Sequence, residues 1–339
     1  MSGRFVIFTD LDATLLDHRT YSYRAALPAL RMVKKRGIPV VICTSKTRTE
    51  TETVARELGL KHPFIVENGG AIFIPSGYFP GSYYKRARIK IIKKEGYEVI
   101  QLGVPYLRLR SVFKTMRKKF GLKMVGFGDL SVEEIAMVTG LGQKEAELAR
   151  RREYDEPFFC EHGSEFGLIQ SIGHQDKTKT KIKASINDAQ SRKIILGQNL
   201  RQEGPKEREK LLRKMKAVAR SQGLRITVGG RFFHLTGHND KGRAVRILKK
   251  LYRLGPGKIV TIGLGDSEND WPMLRAVDLP VLVARPDGRH LEILETGKQL
   301  FRTSRPGPEG WTEAVNFLLG LQKYVSGQTG PAAKKIKRR

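Results

Sequence analysis

Two aspartates, Asp10 and Asp12, stand one residue apart at the end of the apolar run Phe5-Val6-Ile7-Phe8-Thr9. The run has strand length, and in open α/β sheets ligands gather beyond the carboxyl ends of the strands. Both carboxylates are therefore expected to face one reaction site. Two like charges held side by side out of water are costly unless something positive lies between them. A divalent cation meets that need, and an all-oxygen donor set completed by a substrate phosphate suits Mg²⁺. Asp-x-Asp after a strand is also a common turn or helix cap, and what the rest of the chain brings to the same edge decides between the two.

Two more strand ends carry suitable groups. The run Ile38-Pro39-Val40-Val41-Ile42-Cys43 stops at Thr44-Ser45-Lys46. The run Lys258 to Leu264 stops at Gly265-Asp266, with Asn269 and Asp270 just beyond, and Lys241 opens the helix that leads into it. A parallel sheet sets such ends side by side, which gathers acids, a hydroxyl and an amine at one edge. The bland alternatives are a Thr44 that satisfies a neighbouring backbone group and a Lys241 that is a solvated helix-start lysine. Cys43 reads as a core residue.

The elements that must position these groups follow an alternating pattern at both ends of the chain. A helix over Tyr23 to Arg36, closed by Gly37, follows the first strand, and a helix from about Thr49 to Leu58, closed by Gly59, follows the second. The third strand, Pro63 to Val66, ends at Glu67-Asn68-Gly69-Gly70. Strand–helix–strand units of this length predict a parallel sheet with right-handed crossovers. The alternation breaks near Tyr83 and resumes with the helix from Lys241, and the residues between read as α+β. The expected division is a doubly wound α/β core over 1–84 and 237–325, an inserted α+β domain over 85–236, and a disordered basic tail over 326–339. Within the insert, the polar, Lys-rich stretch 167–204 reads as flexible.

The chain of 339 residues carries 63 Lys+Arg against 34 Asp+Glu, a net charge of +29. Such a field draws anions of every kind and bears on encounter and solubility, not on fold. The two cysteines, Cys43 and Cys160, form neither a disulfide framework nor a zinc signature. With no apolar run of membrane-spanning length, and a first strand directly after Met1-Ser2-Gly3-Arg4, a cytoplasmic protein without a membrane partner is expected. The charge also raises a nucleic-acid-binding alternative, but no helix-turn-helix, zinc-finger or aromatic RNA-binding signature accompanies it, so no specific nucleic-acid partner is expected. The sequence implies no particular oligomeric state.

In order along the chain, Asp10-Leu11-Asp12-Ala13-Thr14, Thr44, Lys241 and Gly265-Asp266-Ser267-Glu268-Asn269-Asp270 resemble the four motifs of the haloacid dehalogenase (HAD)-like phosphohydrolases. The likeness extends to the mannosyl-3-phosphoglycerate phosphatase family through Thr44-Ser45-Lys46-Thr47-Arg48, Glu67-Asn68-Gly69-Gly70-Ala71-Ile72, Arg152 to Phe158, Gly229 to Gly237 and Gly307-Pro308-Glu309-Gly310-Trp311. It covers nearly the whole chain apart from the 167–204 stretch and the Lys/Arg tail. The resemblance implies a HAD-like core with a C2-type cap and a phosphatase that converts mannosyl-3-phosphoglycerate to mannosylglycerate, a compatible solute, and phosphate.

By the same resemblance, Asp10 is the nucleophile that becomes an aspartyl-phosphate, and Asp12 is the general acid and base. Thr44, with Ser45, binds the phosphoryl oxygens, and Lys241 offsets their charge. Mg²⁺ is implied as cofactor, held by Asp10, the Asp12 carbonyl and Asp266, with Asp270 steering its waters. Lys46, Asn68 and Gly69 are expected on the substrate side, and Arg231 and His234 are the candidates for cap-borne recognition of the glycerate carboxylate or the sugar. Arg231 and His234 could equally lie on a solvated strand face. The glucosyl analogue, sucrose phosphate and trehalose phosphate remain alternative substrates, because the orientation of one hydroxyl separates them. A phosphomannomutase-like transfer is the lesser alternative.

Overall fold

The structure, a computed structural model, describes residues 4–120, 123–161, 205–229, 232–292 and 300–320. The expected flexible stretch, the basic tail and Arg231 lie outside the described residues.

In chain order, β1 (Arg4–Thr9) leads through a single turn to α1 (Leu27–Lys35), then β2 (Val40–Ile42), α2 (Arg48–Glu57) and β3 (Phe64–Val66). After these come β4 (Ala71–Pro75), α3 (Gly81–Ala87), β5 (Ile92–Lys94) and β6 (Tyr97–Gln101). The next elements are α4 (Tyr106–Phe120), β7 (Lys123–Gly126), α5 (Val132–Thr139), α6 (Gln143–Arg150) and β8 (Asp155–Glu161). They are followed by α7 (Pro205–Ser221), β9 (Arg225–Gly229), β10 (Phe232–Thr236) and α8 (Lys241–Arg253). The last described elements are β11 (Ile259–Gly265), α9 (Trp271–Ala276), β12 (Leu279–Ala284), β13 (Phe301–Pro306) and α10 (Gly307–Gly320).

Two compact units result. The first takes residues 1–45, 53–102 and 239–339. Its parallel sheet runs β13-β12-β11-β1-β2, and an isolated bridge from Cys43 to Ile65 carries the pairing on toward β3. The register fixes the site. Thr9 lies opposite Ile42 on β2 and Leu264 on β11, so the residues that follow, Asp10, Cys43-Thr44 and Gly265-Asp266, leave the sheet at one edge. The strands are apolar on both sides because helices cover them. Phe8, Val41, Ile65 and Leu282 pack with Val245, Leu248 and Leu251 of α8 and with Met273 and Leu274 of α9. Each such side chain contributes about 1.5–3 kcal/mol on burial, which makes this edge a rigid platform.

The unit boundary falls between Leu102 and Gly103, later than the expected 84/85. The reason is strand pairing. β6 joins β4 with Ile72 opposite Ile100, and β5 adds to β6, forming an antiparallel sheet β3-β4-β6-β5 that belongs to the first unit. Ile100 is buried in the same core as Phe8.

The second unit takes residues 46–52 and 103–238. Its antiparallel sheet runs β7-β8-β10-β9 and buries Phe158 and Leu235 against Leu109, Phe113 and Met116 of α4 and Met215 and Ala219 of α7. The helix α5 starts on a capping box, with Ser131 Oγ accepting from Glu134 N (3.2 Å) and Glu134 Oε2 from Ser131 N (2.7 Å), and it stops at Gly140 with φ 76°. This is the α+β insert the sequence predicts. Among the described residues no helix is long and apolar enough to cross a membrane.

Candidate active site

The end of β1 is held from behind. Asp10 N donates to Leu264 O (3.0 Å), which keeps the backbone in the sheet one residue past the strand. The Thr9 hydroxyl donates to Asp10 O (2.8 Å) and accepts from the indole N–H of Trp311 (3.1 Å), the buried anchor of α10. The chain then turns sharply. Leu15 N and Leu16 N donate to Leu11 O (3.0 and 2.8 Å), and Ala13 takes a positive φ of 56°. This turn leaves Asp10 5% exposed and Asp12 half-buried, and it sends the Thr14 hydroxyl to Asp266 Oδ1 (2.8 Å).

The end of β11 folds back on itself. Asp270 Oδ2 accepts from the backbone N–H of Asp266 and of Ser267 (both 3.1 Å) and from the Ser267 hydroxyl (2.9 Å). Glycine is required at 265, where a Cβ would sit 2.4 Å from Cβ and 2.5 Å from Cγ of Asp270. The Gly-Asp-x-x-x-Asp spacing is thus a packing rule as well as a chemical one.

Lys241 completes the cluster. Its helix begins at Asp240, whose side chain accepts from Arg243 N as an N-cap. The ammonium is fully buried, 2.9 Å from Asp10 Oδ1 and 2.6 Å from Asp270 Oδ1. A lysine so placed is not a solvated helix-start residue. The loop after β3 presses on this helix start, because a Cβ on Gly69 (φ 84°) would lie 2.3 Å from Asp240 O and 3.0 Å from Lys241 N. Asn239 Nδ2 reaches the carbonyls of Glu67 and Asn68 (3.4 and 3.3 Å), and Asn269 Nδ2 donates to the Asn68 side chain (3.1 Å). Asn68 tolerates its own positive φ of 55°, as asparagine does better than most residues.

Asp10, Asp266 and Asp270 bring one oxygen each within 4.8 Å of one another, all three buried. One ammonium faces three carboxylates. Burial, then Asp270, pushes the Asp10 carboxyl well up, with Asp266 and Asp12 adding and Lys241 opposing. Burial and Asp270 likewise raise Asp266 to about 7, against the pull of Thr14 and Lys241. Burial alone would lower Lys241, but Asp10 and Asp270 outweigh it and hold the amine charged. The excess of buried negative charge, presented entirely by oxygen, fits a hard divalent cation of the Mg²⁺ class.

Thr44 is fully buried beside this edge, with its N–H on Ile65 O (3.0 Å) and its carbonyl accepting from Asn68 N (3.0 Å). Ser45 closes the first unit's segment, and Lys46 falls in the second unit, where it pairs with Glu50 at 3.6 Å. His234 also lies in the second unit, 7% exposed, with Nδ1 2.7 Å from Asp155 Oδ2, so it is not on a solvated strand face. The roles of Thr14, Thr9, Trp311 and the Asn68–Asn269 pair are not legible from residue types. Only the closeness of Thr14 and Trp311 to the motifs marks them.

A family model described as haloacid dehalogenase-like hydrolase matches residues 7–94. The chain is 41% identical to the glucosyl-3-phosphoglycerate/mannosyl-3-phosphoglycerate phosphatase of Methanococcoides burtonii over 95% of this chain and all of that one. A protein of the same name from Persephonella marina is 38% identical over 91% of this chain and 95% of its own. Among solved structures, a phosphatase of the haloalkanoate enzyme superfamily from Bacteroides thetaiotaomicron superposes with a TM-score of 0.54 at 15% identity, over 95% of this chain and 96% of that one. This last likeness is one of fold.

Proposed function

The chain belongs to the mannosyl-3-phosphoglycerate phosphatase family of HAD-like hydrolases and is a phosphoric monoester hydrolase, and we propose that it hydrolyses both mannosyl- and glucosyl-3-phosphoglycerate through an aspartyl-phosphate on Asp10. The dual substrate is the one for which both relatives above are named. The observation that carries the mechanism is the Lys241 ammonium, buried between Asp10 and Asp270 at 2.9 and 2.6 Å. It fixes one carboxylate oxygen of Asp10 and opposes the upward push that burial and the neighbouring acids exert on that carboxyl.

In the proposed first step, a carboxylate oxygen of Asp10 attacks phosphorus while the bond to the glyceryl oxygen breaks. Asp12, two residues on and half-buried, gives its proton to that leaving oxygen. In the second step Asp12 takes a proton from water as the water attacks phosphorus, and Asp10 leaves as a carboxylate. Thr44 is assigned to a phosphoryl oxygen and Lys241 to the charge that the phosphoryl group brings. Asp10, the Asp12 carbonyl and Asp266 would hold Mg²⁺, with Asp270 orienting Lys241 and the Asp266 loop. When bound, the ion supplies neutralisation of charge between carboxylate and phosphate. A cytoplasmic location is part of the proposal.

A phosphate-release assay across mannosyl-3-phosphoglycerate, glucosyl-3-phosphoglycerate, sucrose phosphate and hexose phosphates tests it. The two phosphoglycerates are expected to dominate in kcat/KM. Equal or faster turnover of a plain hexose phosphate would overturn the substrate assignment while leaving the phosphatase chemistry intact.

A further inference from the structure

The end of β1 away from Asp10 opens on a cavity of about 620 Å³ that the hydrolytic chemistry does not use. Its size falls within the roughly 300–1,000 Å³ of small-molecule sites. Arg4 at the start of β1 and Arg36 at the end of α1 stand on its rim, and Tyr78, Phe79, Tyr83 and Tyr252 line its wall. All six belong to the first unit.

The wall is already built. Phe79 packs edge-on against Tyr252 (centroids 5.0 Å apart, 83° between planes) and against Tyr78 (4.9 Å, 82°). The Tyr78 hydroxyl shares hydrogen bonds with the Tyr252 hydroxyl (3.0 Å) and His62 Nδ1 (2.9 Å). Rings locked this way lose little freedom when a flat ligand seats against them. The cations are placed as well. Arg36 donates from Nη1 to Leu319 O (3.2 Å), and Arg4 lays its guanidinium along Gly255, where a Cβ would come within 3.1 Å of Nη2. No carboxylate occurs among the described lining residues, so the rim has one sign.

We propose that this cavity is a nucleotide-binding site, with the heterocyclic base against the tyrosine and phenylalanine wall and the phosphates at Arg4 and Arg36. Guanidinium forks match phosphate oxygens two at a time, and aromatic faces accept any base. Inorganic phosphate would satisfy the arginines but leave the aromatic wall and most of the volume unfilled. An uncharged ring would do the reverse. A ligand that carries both chemistries fits the whole cavity. The site lies at the opposite end of the strand from Asp10, so occupancy does not compete with substrate.

The test is calorimetric titration of ADP into the full chain carrying Asp10→Asn, with EDTA present, so that neither turnover nor a cation at the acidic cluster contributes heat. Saturable one-site binding is expected. Arg4→Glu and Arg36→Glu, both at exposed side chains, should each weaken it at least about tenfold, and adenosine and phosphate alone should bind far more weakly than ADP. In an otherwise native chain the same two arginine variants should release phosphate from substrate at the unmodified rate without nucleotide. Absence of saturable heat, ADP binding indifferent to both arginines, or phosphate binding as tightly as ADP would overturn the site. Circular dichroism checks that each variant folds, and should one of the two unfold, the response of the other decides.

Discussion

The indole N–H of Trp311 donates to the hydroxyl of Thr9 at 3.1 Å, across 302 residues of chain. That hydroxyl in turn donates to the carbonyl of Asp10 (2.8 Å), so α10 holds the backbone from which the proposed nucleophile projects.

Trp311→Phe keeps the aromatic bulk and deletes the donor. The expected result is a drop in kcat of several fold with KM little changed, and a stability loss of about 1 kcal/mol from one buried hydrogen bond. Steady-state kinetics with a denaturant titration measures both. A rise in KM at constant kcat would remove Trp311 from the positioning of Asp10.

Asp10→Asn should abolish phosphate release, by about a thousandfold or more, while the fold persists. Melting without metal should not fall, since the substitution relieves repulsion with Asp266 and Asp270. Residual turnover within tenfold of the unmodified chain would exclude Asp10 as nucleophile.

Gly69→Ala would press a methyl to 2.3 Å from Asp240 O, onto backbone that cannot rotate away, and at a positive φ. A loss of about 1–3 kcal/mol is expected, with kcat falling tenfold or more as the Lys241 helix start is displaced. The comparison is with Gly77→Ala, which also has a positive φ (76°) but open space around it, and which should lose stability without losing kcat.

Asp266 gives a pH test. In the metal-free protein its carboxyl is raised from 3.8 to about 7. Between those values the folded chain holds a proton that the unfolded chain has released, so stability falls as pH rises through the window and levels off above it. Asp10, raised by the same cluster, acts in the same direction. Cation binding needs the ionised carboxylates, so the gain in Tm on adding Mg²⁺ should grow from about pH 5 to about pH 8. Melting curves in EDTA and in Mg²⁺ check this, and Asp266→Asn should flatten both trends. A metal-induced gain independent of pH would contradict the cluster's role.

The site's acids and amine are legible in the sequence because each sits at an element end with a strong local signature. The ends of β1, β2 and β11 are long apolar runs that stop at polar residues, and parallel pairing does the rest. Side-chain burial is not visible at that level. The same local letters describe Lys241 as a surface lysine or as a fully buried one, and only tertiary packing chooses. β13 escapes a sequence reading because Phe301-Arg302-Thr303-Ser304-Arg305-Pro306 is an edge strand whose one deeply buried side chain is Thr303. The first unit's reach to Leu102 escapes it because the assignment of β5 and β6 to that unit depends on the pairing of β6 with β4 and of β5 with β6, which no local pattern reveals.

Lysine-directed chemistry would meet this molecule unevenly. Among the described residues most lysines lie at the surface and would react readily with cyanate, succinimidyl esters or an activated resin, but the amine at position 241 is sealed from solvent and held charged by two carboxylates. A preparation could therefore be extensively amine-coupled, or tethered to a support, and still keep intact the lysine proposed to take part in turnover.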